Sequence, residues 1–127
     1  MPIGSYKDLI AGQRAMDLVE AVYRLSDRFP ARERFGLSAQ VGRAAVSIPA
    51  NVAEGYSRPT RTDYTRFLDI ALGSANEVET HVLVSHRLGF APKEQADTVL
   101  ALTGEVQRLV AALASGLRGG AYRRAAR

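Results

Sequence analysis

Residues Gln40–Pro59 read QVGRAAVSIPANVAEGYSRP, and two interleaved patterns within them decide the fold. Val41, Ala45, Ile48 and Val52 recur close to i, i+4, i+7 and i+11, which marks one buried face of a helix. Arg43, Ser47, Asn51, Glu54 and Arg58 recur in steps of four, four, three and four, so on a continuous helix they share a second face. Pro49 falls in the middle, where it removes a backbone donor and crowds the carbonyl of Ala45. The polar row keeps its phase across Pro49, so one kinked helix over Leu37–Tyr56 is expected, with Gly55 as its end residue. Ala39, Gly42, Ala44, Ala45, Ala50 and Ala53 suit close approach of a second helix. The polar row reads as a solvated face or as a network between helices. In the network reading, Asn51 and Glu54 are shielded and bonded to the third helix or a neighbouring subunit, with Arg43 and Ser74 as favoured partners.

Outward from this stretch, three more helices are legible. Helix 1, about Leu9 to Arg28, carries Ala15, Leu18, Val19, Val22, Leu25 and Phe29 in one stripe, which Met16 and Tyr23 widen. Pro30 stops it, and Ala31–Gly36 forms a charged connection. Helix 3 starts near Arg61 behind a Thr60/Asp63 capping box and continues to about Leu88. After the turn Gly89-Phe90-Ala91-Pro92, helix 4 places Ala96, Val99, Leu102, Val106, Leu109, Val110, Leu113 and Leu117 on its core side. Gly116, Gly119 and Gly120 are expected to end it. No alternating run bounded by turn residues suggests a strand. The expectation is an all-α, antiparallel up-down four-helix bundle over residues 1–117, followed by a basic flexible tail over 118–127.

A chain of 127 residues without cysteine excludes a disulfide framework and a thiolate metal site, and is long enough to bury a core. Its formal charge of +4 is unevenly placed: Arg118, Arg123, Arg124 and Arg127 supply the whole excess, so residues 1–117 balance. No apolar run is long enough for a membrane span and no signal peptide is evident, so a soluble cytoplasmic protein is expected.

Catalytic constellations are not found. A di-iron bundle needs Glu-x-x-His on two helices, and neither His81 nor His86 follows a Glu at that spacing. Glu77 and His81 lie four apart and read as a surface pair. No glycine-rich phosphate loop follows a strand, and no serine has a credible histidine and acid beside it. No metal, cofactor or enzymatic activity is expected. Arginines remain: Arg43, Arg58, Arg61 and Arg66 around the helix 2–3 corner, with Arg118, Arg123 and Arg124 in the tail. The planar guanidinium fork suits phosphate, and equally suits Glu54, Glu77 or Glu79 across helices.

The runs Phe35-Gly36-Leu37-Ser38-Ala39-Gln40 and Arg43-Ala44-Ala45-Val46-Ser47-Ile48-Pro49-Ala50-Asn51-Val52-Ala53-Glu54-Gly55-Tyr56 resemble the signature of the four-helix-bundle 23S rRNA intervening-sequence proteins. Phe67-Leu68, Ala71, Gly73-Ser74, Glu77 and Glu79 continue the match, and Ala15-Met16, Leu18, Val22-Tyr23 and Phe29-Pro30 precede it. The resemblance covers about Leu9 to Leu113. It implies a polar motif made of Arg43, Ser47, Asn51, Glu54, Ser74 and Glu77. It also implies kinship with the accessory variability determinant of diversity-generating retroelements, a homopentamer with a basic surface that binds nucleic acid and a reverse transcriptase. Gly12 departs from the pattern, since the family usually has tryptophan there, and Gly104 inside helix 4 is unusual.

Two functional readings follow. The first is a non-catalytic homo-oligomer, a pentamer by resemblance, that binds structured RNA or other nucleic acid through its arginines. The second is an oligomeric scaffold for a protein partner such as a reverse transcriptase, with little nucleic-acid contact of its own.

Overall fold

The stripes assemble as their spacing predicts. The computed structural model describes the backbone of residues 5–126 and the side chains of residues 7–119. Helix α1 spans Ser5–Ser26, α2 spans Leu37–Tyr56, α3 spans Arg61–Arg87 and α4 spans Lys93–Ala126, with a short 3-10 turn over Ala31–Glu33. No strand occurs among the described residues.

Each helix packs on two neighbours in the cyclic order α1, α2, α3, α4. Cross-helix pairs set the directions. Ser47 bonds to Ser74 while Gly55 meets Tyr64 and Phe67, so α2 and α3 run antiparallel. Arg118 reaches Asp69 while Gln107 reaches Asn76 and Glu79, so α3 and α4 do too. The up-down bundle is therefore as expected.

Its core is a column of aliphatic side chains: Leu18 and Val22 from α1, Val41 and Ile48 from α2, Leu68, Val78 and Val82 from α3, Val106 and Val110 from α4. Burying each stabilises the fold by roughly 1.5–3 kcal/mol. Met16 and Tyr23, expected to widen the α1 stripe, are half exposed at 55% and 51%. With Leu9 they repeat at seven-residue intervals along a separate strip of α1, of which Tyr23 lies beside α2. Tyr23 covers Gly42 of that helix, and a Cβ at Gly42 would stand 3.4 Å from its Oη.

Helix boundaries follow local chemistry. Pro49 lies inside a continuous α2. Thr60 caps α3 by accepting from the Asp63 amide at 3.1 Å. Gly89, at φ 82°, closes α3 in a left-handed turn in which Phe90 N reaches Ser85 O and Gly89 N reaches His86 O. Helix α4 differs from expectation: its backbone runs through Gly116, Gly119 and Gly120 to Ala126. Glycine costs about 1 kcal/mol against alanine inside a helix but does not forbid it. The side chains of residues 120–127, Arg123 and Arg124 included, lie outside the described residues.

Candidate nucleic-acid interface

Antiparallel packing sorts the arginines to the two ends of the bundle. One end holds the α2–α3 corner and the late turns of α4. Here Arg58 and Arg66 lie over Phe67, with their guanidinium carbons 5.0 and 4.8 Å from the ring centroid. Arg61 lines an open pocket of about 470 Å³ with Thr62, Thr65, Arg66, Asp69 and Arg118. Both of its terminal nitrogens are buried and lack a hydrogen-bond partner among the described residues. The predicted residues Arg58, Arg61, Arg66 and Arg118 thus come together, but acids oppose three of them. Arg58 pairs with Glu54, Arg66 stands 4.0 Å from Asp63, and Arg118 donates to Asp69 at 2.5 Å.

Arg43 does not join this group. It lies near the opposite end, where the last turns of α1 and the start of α2 leave an open groove of about 560 Å³. Tyr23, Asp27, Arg34, Ser38, Gly42 and Arg43 line it. Residues 28–43 carry four arginines, Arg28, Arg32, Arg34 and Arg43, against one acid, Glu33. That acid is engaged elsewhere: Glu33 Oε1 accepts from the Leu37 amide at 3.2 Å and caps α2. Among the described residues none of the four arginines has a carboxylate partner. Arg32 lies over the Phe90 ring at 5.5 Å and Arg34 over the Phe35 ring at 5.6 Å. Such contacts hold a guanidinium without using its five N–H donors.

Arg28, Arg32, Arg34 and Phe35 are functional candidates that the sequence reading passed over. The signal was present, since four arginines with one acid in sixteen residues is a local excess within a neutral body. It was masked by the reading of Ala31–Gly36 as a mere connection.

Within the single chain the polar motif is connected differently from the expectation, with Ser74 meeting Ser47 and neither Asn51 nor Glu54. Ser47 Oγ and Ser74 Oγ share a hydrogen bond of 2.8 Å between α2 and α3. Asn51 Nδ2 donates to Ser47 Oγ at 2.9 Å and to Ser47 O at 2.8 Å, one turn back and beside Pro49. Asn51 is half-buried, and its bonds stay within α2. Glu54 corrects the expectation for the single chain: its side chain is 46% exposed and its partner is Arg58, not Arg43. Spacing explains this, because Arg58 follows Glu54 by one turn whereas Arg43 precedes it by three. Glu77 pairs with His81 at 3.1 Å along α3. Among the described residues no group of three or more His, Asp or Glu is placed to hold a metal ion, and no helix is long and apolar enough to cross a membrane.

Between the ends, charges are neutralised in place. Arg14 of α1 donates from Nε and Nη2 to the two carboxylate oxygens of Glu105 of α4, at 2.6 and 2.9 Å, and from Nη1 to Asp17. The guanidinium holds the Glu105 carboxyl below the usual carboxylate range.

The same bundle is found in a solved protein of unknown function from the S23 ribosomal protein family of Bacteroides thetaiotaomicron. It superposes with a TM-score of 0.80 at 24% identity, over 86% of this chain and 98% of that one, a likeness of fold. Comparison with curated proteins finds no match. The family model for 23S rRNA-intervening sequence proteins matches residues 7–112, and the chain belongs to that family.

Proposed function

We propose that this protein is a non-catalytic homo-oligomer, a pentamer by family resemblance, that binds structured RNA or other nucleic acid through arginine–phosphate contacts. One observation carries the reading: Arg28, Arg32, Arg34 and Arg43 gather at one end of a neutral bundle without acid partners among the described residues. Unpaired guanidinium groups held in position are ready phosphate ligands.

Self-association is supported by surface that water serves poorly. Leu9 and Met16 of α1 and Val46 of α2 are exposed at 58%, 55% and 43%, and Ala50 and Ala53 of α2 are exposed beside them in sequence. Closed symmetry around such a face repeats the arginine clusters about an axis, so weak phosphate contacts act together. The same face favours a second reading, a scaffold for a protein partner.

The test titrates a labelled RNA hairpin at two salt concentrations with the full chain and with a chain ending at Leu117, each sized by light scattering. Binding by both chains that weakens steeply with salt supports the reading. Binding by the full chain alone assigns the contact to the last residues and makes the bundle a scaffold. An absence of binding at low salt overturns it.

A further inference from the structure

Phe35, at 88%, is the most exposed of the large apolar side chains among the described residues. Leaving a phenylalanine in water forgoes roughly 1.5–3 kcal/mol of burial. Nothing in the fold requires it there. The α2 start is already capped by Glu33, and the Phe29–Phe90 pair covers this end of the core, with ring centroids 6.0 Å apart. The ring stands in the middle of the four unpaired arginines by sequence, with Arg34 at its face.

We propose that the α1–α2 end is a site for unpaired nucleic acid, in which one base stacks on Phe35 and the adjoining phosphates lie on Arg34 and Arg43. The inference rests on the nucleic-acid reading above and specifies the form of the ligand. Its two parts need both halves of a nucleotide. Arg34 and Arg43 line one groove, wide enough at about 560 Å³ for a sugar and phosphate, with the Tyr23 ring lining the same groove. The exposed ring answers to a π-face, and a duplex keeps its base faces stacked on one another. A bulge, loop or single-stranded end offers a free face together with closely spaced phosphates. Arg34 joins the two halves: its planar group lies against the ring while its N–H edge remains free for a phosphate oxygen. Arg32, held over Phe90, stands ready for a further phosphate along the strand.

The experiment measures anisotropy of a labelled single-stranded RNA of about ten nucleotides and of a blunt duplex of equal length. A second single strand carries 2-aminopurine, whose fluorescence falls when it stacks. The full chain is compared with Phe35→Ala and Phe35→Tyr. Phe35→Ala is expected to weaken single-strand binding about five- to a hundredfold and to abolish the quenching. It should leave duplex affinity and the salt dependence of binding in place, because the ring touches no phosphate. Phe35→Tyr restores both signals. Single-strand affinity unchanged in Phe35→Ala, with duplex binding intact, overturns this site while the nucleic-acid reading stands. A change of oligomer mass in Phe35→Ala also overturns it, by assigning Phe35 to contact with a second copy. Failure of every oligonucleotide to bind the unaltered chain at low salt overturns both readings.

Discussion

At the α1–α2 end, Arg28, Arg32, Arg34 and Arg43 stand without acid partners among the described residues, and so does Arg87 in the last turn of α3. At the α2–α3 end, Arg58, Arg66 and Arg118 each have an acid: Glu54, Asp63 and Asp69. Both ends use the same residue type and the same stacking on phenylalanine, yet their electrostatic state differs. A phosphate approaching the first end meets free donors. At the second it must compete with carboxylates already in place, so each arginine contributes less. On the proposed reading, the number of arginines left unpaired, not the number present, decides which end binds.

The sharpest way to break this comparison is to delete one set at a time. Replacing Arg28, Arg32, Arg34 and Arg43 by glutamine should lower affinity for a structured RNA by about a hundredfold or more at about 50 mM salt, and reduce the slope of log K against log salt by about 2–4. Replacing Arg58, Arg66 and Arg118 should lower it much less. Melting temperature should barely move in the first set, since those side chains take part in no ion pair among the described residues. Equal losses in the two sets would remove the distinction between the ends.

The α2–α3 end also holds a close helix–helix contact. A Cβ on Gly55 would stand 2.9 Å from both Phe67 Cβ and Tyr64 Cδ1 and 3.1 Å from the Tyr64 carbonyl oxygen. Gly55→Ala must push α2 away from α3, which should cost about 1–3 kcal/mol and lower the melting temperature by several degrees. Thermal unfolding of Gly55→Ala that matches the unaltered chain would show the corner to be looser than this geometry.

Acid sensitivity is expected near the start of α1. Asp8 is buried on α1, both carboxylate oxygens lack partners among the described residues, and burial pushes its pKa up from 3.8 to about 6. The fold thus favours the protonated form. Below about pH 4 the group is neutral in folded and unfolded chains alike, and its contribution is fully present. As pH rises toward 6 the unfolded chain releases the proton first, so stability falls through that window and levels off above it. Relative to Asp8→Asn, the unaltered chain should lose melting temperature between about pH 4 and 6.5. A constant difference across that range would show that Asp8 finds a partner in the folded protein.

How much of this was legible in the sequence divides along the same line. Leu37–Tyr56 could be read as one helix because Val41, Ala45, Ile48 and Val52 and the polar row are set by periodicity, a property of the chain alone. Ser74 was singled out as a contact to α2, but its partner was not: it meets Ser47, 27 residues away, and not Asn51 or Glu54. Met16 and Tyr23 misled, since apolar spacing marks a stripe but not how wide a neighbouring helix covers it. The end of α4 misled because glycine lowers helix propensity without forbidding helical backbone. Pairing was least legible of all. Whether Arg58 or Arg43 takes Glu54 depends on side-chain reach across a few ångströms, and Arg34 gains its significance from what fails to lie near it.

The smallest expected effect tests pairing most directly. Glu54 and Arg58 are an exposed i, i+4 pair, with side chains 46% and 38% accessible. An ion pair of this kind contributes about 0–1 kcal/mol, because water screens the attraction and ordering two long side chains costs entropy. Glu54→Ala should therefore lower stability by less than about 1 kcal/mol. Had Glu54 been buried against an arginine, its removal would have stranded a charge at a cost of about 3–5 kcal/mol. Its effect on binding should have the opposite sign. Arg58 would keep its place over Phe67 while losing the carboxylate that occupies its donors. One more free guanidinium and one less negative charge should raise affinity for RNA a few-fold at low salt, with a slope steeper by about 1. The α2–α3 end would then begin to resemble the α1–α2 end without any arginine being added. Affinity that falls in Glu54→Ala, in a protein of unchanged oligomer mass, would show that the acid positions Arg58 for binding and that pairing is not what distinguishes the two ends.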